Sequence, residues 1–355
     1  MMSFFHRTTV AVVLAGILHV SAFANMKVGF IYAAPALQDG WYYQHDLARK
    51  AVEKTFNGEV TTVVKDGVPE AMESVDPVVH AMDEDGVRLI FLPSFGYPAV
   101  ELGERYPHIR FEHATGYKRR ANVATYSGRF YQGRAVTAYI AAGMTKSNRI
   151  GYVASFPIPE VIRGINAAFL EAKKMNPNVE FDIVWSYTWF DPQKEYDLAK
   201  QLIQRGADVI MQHTDSIGPV QAAKDLGVYA VGQASDMSHV APQHVLTSVV
   251  DDWSDYYIQR VRDVKNNTWK SQDYWGGLGE VVQIAPVMAS VPESIQVGAR
   301  ELGSAIVSGK QHVFVGPIFK QDGSVWLKEG EIASDSDLLT MQFYVKGIKG
   351  TIPSG

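Results

Sequence analysis

The chain contains no cysteine. A disulfide framework, a thiolate metal site and a thiol nucleophile are therefore excluded. Catalytic signatures are equally scarce. There is no G-x-S-x-G elbow, no G-x-x-x-x-G-K-[ST] phosphate loop and no G-x-G-x-x-G after the first apolar strand pattern. No H-E-x-x-H or comparable spacing points to a metal, and no cofactor motif is present. Long basic runs are missing as well. Lys118-Arg119-Arg120 reads as a charged surface loop, so no nucleic-acid partner is expected. Past the first 24 residues, no apolar segment approaches membrane-spanning length.

What is present begins at the N-terminus. His6 and Arg7 precede an apolar run from Val10 to Val20, followed by Ala22-Phe23-Ala24. A basic flank, a short apolar stretch and an A-x-A site make a cleavable secretory signal at 1–24. A membrane anchor is the alternative, disfavoured by the shortness of the run. With no cysteine to carry a lipid, a free periplasmic protein is the expectation. The net charge is −5, and loss of Arg7 takes it to −6. At 355 residues the chain can be held by its core alone, as two lobes.

From Lys27 onward, short apolar runs alternate with helical patterns. Strands are expected at 27–33, 60–64, 88–92, 109–113 and 122–126. Helices are expected at 47–56, 71–83 and 129–145. The alternation then restarts: strands at 149–153, 181–185, 208–212, 228–231 and 245–250, with helices at 160–175, 192–205 and 220–226. A helix over 253–265, a Gly-rich crossing at 269–287, a helix over 292–308 and short strands near Val313 and Val325 finish the chain. Such alternation defines parallel α/β architecture, here in two doubly wound lobes. The expected boundaries place 25–147 and about 253–285 in lobe 1, 148–252 and about 286–345 in lobe 2, and a tail at 346–355.

Open α/β sheets bind ligands beyond the carboxyl ends of their strands. Those ends carry Trp41 and Tyr42, Phe95, Ser127 and Arg129, Phe156, Trp189, His213 and Asp215, and Asp236. With 7 Trp, 17 Tyr and 16 Phe, the chain has rings to spare for a ligand site. Aromatic faces with short polar groups suit a flat, polar ring, stacked and satisfied at its edge. The alternative is that the rings cap the sheets as core. His213 reads as a hydrogen-bonding histidine more readily than a metal ligand. Asp215 and Asp236 could act as an acid and base, or accept from ring N–H groups. Without a nucleophile or metal, binding is favoured over turnover.

These residues resemble the basic membrane protein family, the purine-nucleoside receptors of bacterial ABC importers. The resemblance runs over most of the chain. It is carried by Gly151–Pro177 (GYVASFPIPEVIRGINAAFLEAKKMNP), by Trp185–Asp208 (WSYTWFDPQKEYDLAKQLIQRGAD), by Gln132-Gly133-Arg134-Ala135 and by the Gly232–Asp236 turn. It implies a type I periplasmic-binding-protein fold with several hinge crossings, and a purine held between rings in the interlobe cleft. The family's first stacking ring falls on Trp41 and the second near Trp189 or Phe190. The family's ribose-binding acid falls on Asp236. Two features depart from the pattern: the missing lipoprotein cysteine, and Ser127-Gly128-Arg129-Phe130 where an acid commonly meets the purine edge. Asp39-Gly40-Trp41, His213-Thr214-Asp215-Ser216 and Trp275-Gly276-Gly277 resemble a subgroup associated with free bases such as adenine. Trp275 would then stand as a third ring in place of the sugar.

The expectation is a monomeric periplasmic receptor that captures a purine, adenine favoured, and hands it to a membrane permease. A nucleoside or pentose receptor, a nucleoside hydrolase and a sensor feeding a membrane kinase are the rivals.

Overall fold

The computed structural model describes residues 25–353. The proposed signal at 1–24 lies outside the described residues. Lobe 1 begins with β1 (Met26–Ile31), α1 (Trp41–Phe56), β2 (Val60–Lys65), α2 (Met72–Glu84), β3 (Leu89–Leu92), α3 (Ala99–Arg105), β4 (Arg110–Ala114) and β5 (Val123–Gly128). Lobe 2 follows with α4 (Phe130–Met144), β6 (Arg149–Ala154), α5 (Pro159–Met175), β7 (Glu180–Trp185), α6 (Pro192–Gln204), β8 (Val209–His213), α7 (Gly218–Asp225), β9 (Tyr229–Gly232) and β10 (Val245–Asp251). The chain then returns as α8 (Ser254–Lys265) and β11 (Asp273–Gly276). It leaves again as β12 (Val282–Ile284), α9 (Glu293–Val307), β13 (Ile318–Phe319), β14 (Val325–Leu327) and α10 (Asp335–Leu339).

Each lobe holds one six-stranded sheet. The first runs β11-β5-β4-β3-β1-β2, parallel throughout. The second runs β12-β10-β9-β8-β6-β7, parallel except for the antiparallel edge strand β12. Sheets covered on both faces require near-continuous apolar strands. β3 (LIFL) and β5 (VATYSG) meet that demand, since every residue in them is buried. On α5, Val161, Ile162, Ile165, Ala168, Phe169 and Ala172 recur at helical spacing and are buried.

The chain crosses between the sheets three times: from β5 to α4, from β10 to α8 and from β11 to β12. The returning segment is fixed to lobe 1 by a buried ion pair, Arg260 Nε to Glu112 Oε1 at 2.6 Å. Tyr256 and the Trp269 indole also donate to Glu112, each at 2.6 Å.

Several expected boundaries are corrected. Helix α4 belongs to lobe 2, packing on α5, α9 and β10, so lobe 1 first ends at Gly128 rather than 147. Likewise β12 pairs with β10, so the second visit to lobe 1 ends at Gly276 rather than 285. Helix α3 was not foreseen. The short strand expected near Val313 lies instead at Ile318–Phe319. Residues 346–350 are no free tail: Ile348 is buried, and Lys349 Nζ reaches Glu180 on β7 at 2.7 Å.

Candidate functional site in the interlobe cleft

The carboxyl ends of both sheets face each other across one narrow cavity, placed where open α/β sheets bind their ligands. Lobe 1 lines it with Trp41, Tyr42, Ser94, Phe95 and Thr115. Lobe 2 lines it with Glu160, Trp189, His213, Asp215 and Gln233, and Phe130 stands at the first crossing.

Local structure fixes each wall. Trp41 opens α1, and its indole donates to Pro93 O at 2.7 Å, the loop that follows β3. Behind it lies an aromatic column: Trp41 meets Trp253 edge-on at 5.8 Å, and Trp253 stacks on His45 at 5.2 Å. The Ser94-Phe95 loop is held from two sides. Ser94 Oγ and Gly96 N both bind Glu70, and His113 Nε2–H donates to Ser94 O at 3.0 Å. Burial lowers the His113 pKa to about 4, so the ring is neutral near pH 7.

On lobe 2, Asp191 caps α6 by accepting from Lys194 N at 3.0 Å. Glu195 returns a carboxylate oxygen to Asp191 N at 2.7 Å and another to Ser216 N at 3.2 Å. One buried glutamate thus ties the Trp189 loop to the loop carrying His213 and Asp215. Asp215 N also donates to Trp189 O at 2.8 Å. Three non-glycine residues at the strand ends hold left-handed backbone: Thr115 (φ 54°), Tyr187 (φ 53°) and Ala234 (φ 60°). Such strain persists where the surrounding structure over-determines it, as at ligand clamps.

The polar groups sit in graded charge states. Burial alone would raise Glu160. The His213 bond and the Arg163 and Arg134 charges outweigh it and hold Glu160 below the usual carboxylate range. His213 Nε2 lies 3.5 Å from Glu160, and burial brings the ring to about 4, aided by the Arg134 charge. Asp215 is pushed well above the ordinary range by burial, then by the charges of Glu195, Asp251 and Glu160. Near pH 7 the cavity therefore offers an ionised Glu160, a neutral His213, an Asp215 whose burial favours the protonated acid, and the Gln233 amide. A neutral acid and an amide each donate and accept, as the edge of a nitrogen heterocycle requires.

Of the residues expected from the sequence, Trp41, Tyr42, Phe95, Trp189, His213 and Asp215 line this cavity. Phe156 does not; its ring lies 5.2 Å from Trp189 and supports it. Phe190 is also absent from the lining. Asp236 lies outside the lining, and its carboxylate closes a turn by accepting from Ser238 N at 2.9 Å. Arg129 is spent on Asp335, at 2.5 and 2.9 Å. Ser127 and Trp275 lie in an adjoining outer chamber, which shares Phe95, Thr115 and Glu160 with the cavity. The guanidinium groups of Arg129 and Arg163 lie over the Trp275 ring, 5.1 and 4.8 Å from its centroid. Sequence reasoning missed Ser94, Thr115, Phe130, Glu160 and Gln233. Ser94, Thr115 and Gln233 follow strand ends, which was the available signal; Glu160 looked like an ordinary first-turn acid.

No group of three or more metal-ligating side chains occurs among the described residues. No described helix is long and apolar enough to cross a membrane. Two doubly wound lobes with a polar, aromatic cavity between them define a solute-binding protein of type I periplasmic architecture.

Residues 25–307 match the family model of PnrA-like ABC transporter substrate-binding proteins, and the chain belongs to that family. It is 45% identical to a purine-binding protein of Brucella abortus over 98% of this chain and 99% of that one. It is 34% identical to a Haloferax volcanii protein with the provisional name of ABC transporter glucose-binding protein, covering 93% of this chain and 82% of that one. Among solved structures, an ABC solute-binding protein from Aeropyrum pernix superposes with a TM-score of 0.70 at 18% identity, over 80% of this chain and 92% of that one. That likeness shows the fold. The family and these relatives make the chain a substrate-binding protein rather than an enzyme.

Proposed function

We propose that this protein captures a purine base, adenine favoured, between its two lobes and delivers it to the membrane permease of an ABC importer. The single observation that carries the reading is the cavity itself: Trp41 and Trp189 line it from opposite lobes, with Glu160, His213, Asp215 and Gln233 as its polar lining. Stacking supplies area, each aromatic contact adding about 0.5–1.5 kcal/mol beyond burial. The polar edge supplies choice, because a site built to hydrogen-bond rejects rings that leave it unpaired. The protonated form that burial favours at Asp215 suits an edge with adjacent donor and acceptor, as adenine presents. The name of the Brucella relative supports a purine, and its 45% identity is spread over nearly the whole chain. The protein works as a periplasmic monomer, since a receptor that closes on its ligand and releases it to a permease needs mobile lobes.

A purine nucleoside is the second reading, favoured by the outer chamber that adjoins the cavity. A thermal-shift panel of adenine, hypoxanthine, adenosine and glucose separates the readings. Adenine is expected to raise Tm most. A shift with glucose and none with any purine overturns the proposal.

A further inference from the structure

The outer chamber, about 510 Å³ in volume, opens beside the proposed purine cavity and shares Phe95, Thr115 and Glu160 with it. Arg163 lines it, Arg129 stands over the Trp275 ring of its wall, and the two arginines differ in one respect. Arg129 has both oxygens of Asp335 at 2.5 and 2.9 Å and is neutralised by them. Arg163 is held more loosely, with Glu160 as its counter-ion. Its five N–H donors meet Leu338 O at 3.5 Å and, more distantly, Glu160 Oε2 at 3.8 Å. Yet the side chain is only 4% exposed. The Trp275 ring, 4.8 Å from the guanidinium, holds it in place. A buried cation with unspent donors is costly unless something pairs with it. Its burial accordingly lowers its pKa, with the Glu160 charge opposing.

A second, independent feature points the same way. Ile158, Pro159 and Glu160, the first turn of the 17-residue helix α5, form part of the chamber wall. No side chain caps that helix end. Ile158 N–H is bonded to Phe156 O and Pro159 has no N–H, so the N–H groups of Glu160 and Val161, with the positive dipole end, are what this terminus offers an anion. Ser127 adds a hydroxyl whose own contact, to Gly128 O, is long at 3.4 Å. Glu160 is the opposing charge, shared with His213 at the junction of the two cavities.

We propose that the outer chamber is an anion-binding compartment, in which Arg163 and the start of α5 receive a phosphate or carboxylate carried on, or bound beside, the purine. The inference rests on the purine reading of the inner cavity. Its ligands are then a purine nucleoside monophosphate, a purine bearing a carboxylate arm, or a base together with free phosphate.

Calorimetric titration of ligand-stripped protein tests it with adenine, adenosine, adenosine 5′-monophosphate and inorganic phosphate, the last alone and alongside adenine. The monophosphate is expected to bind at least about tenfold tighter than adenosine, as a charge-assisted fork should give. If free phosphate is the source, it raises adenine affinity by a similar factor instead. Arg163→Gln abolishes whichever gain is seen, and Arg163→Lys keeps part of it. Each gain is taken relative to adenine in the same variant, and circular dichroism checks folding. Adenine binding with no gain from either phosphate source overturns the chamber while leaving the purine site standing. A gain that survives Arg163→Gln overturns it too. Should adenine be silent, the purine reading fails, and phosphate alone decides the chamber: Arg163-dependent binding supports it and silence sinks it.

Discussion

Gly40 of lobe 1 donates its backbone N–H to the Ser235 hydroxyl of lobe 2 at 2.9 Å. The contact sits one residue before Trp41, so the loop that delivers the ring also seats one lobe on the other. Asp39 completes it, accepting from Ser235 at 3.3 Å and facing His239 Nε2 at 3.3 Å. Gly40 adopts φ +83°, and a Cβ there would stand 2.2 Å from the backbone oxygen of Asp215. A side chain at this position keeps the lobes apart. Gly40→Ala should therefore weaken ligand binding by at least about tenfold through lost closure. Its cost to the unliganded fold should be only about 1–2 kcal/mol, the price of left-handed backbone. Calorimetry and a thermal melt separate the two effects; unchanged affinity would show that closure does not pass through this contact.

Trp189 and Phe156 should behave as a graded pair. Trp189→Ala removes a wall of the cavity, whereas Phe156→Ala removes only the ring behind it. The first should lower affinity by about tenfold or more and the second by less, in line with the loss of one aromatic contact and its burial. Equal losses would mean that the loop's position, not the indole, matters.

Asp215 allows a pH test with a defined sign. Its folded pKa is raised by burial and by neighbouring acids. A raised acid contributes stability at low pH that is lost as pH rises through its folded value. Asp215→Asn has no such loss. The stability of the wild type relative to the variant should therefore fall as pH rises from 4 to 8, as measured by thermal melts of ligand-free protein. Asn also donates and accepts, so adenine binding should survive better in Asp215→Asn than in Asp215→Ala. A relative stability that stays constant or rises with pH contradicts the raised pKa of Asp215.

His113 gives the opposite sign. Its folded pKa is about 4, below about 6.5 for an unfolded histidine. Between those values the unfolded chain takes up a proton that the folded one refuses, so stability falls as pH drops through that window. His113→Gln lacks this term. The advantage of the wild type over the variant should shrink between pH 7 and pH 4.5; a constant gap would show that His113 titrates normally in the fold.

The alternation of strand and helix was legible because buried parallel strands leave short apolar runs that little else mimics. Which lobe α4 joins was not. Eleven of its fifteen residues are buried, so no polar face marks its outer side, and its sheet is chosen by packing against α5 and α9. The cavity was half legible, since the rule of strand ends finds Trp41, Trp189 and Asp215 without a structure. Asp236 satisfies the same rule and lies outside the lining, because an acid two residues before a free backbone N–H closes a turn as readily as it faces a cavity. Arg129 and Trp275 lie outside the cavity lining for a related reason: their partners, Asp335 and Arg163, are far away in sequence.

The central claim is a purine held between Trp41 and Trp189. Calorimetric titration of the ligand-stripped wild type and of a Trp41→Ala/Trp189→Ala double variant with adenine tests it most directly. One site of sub-micromolar affinity in the wild type, lost in a double variant that still folds, is the predicted result. Adenine heats absent from the wild type, or equal in both proteins, would contradict it.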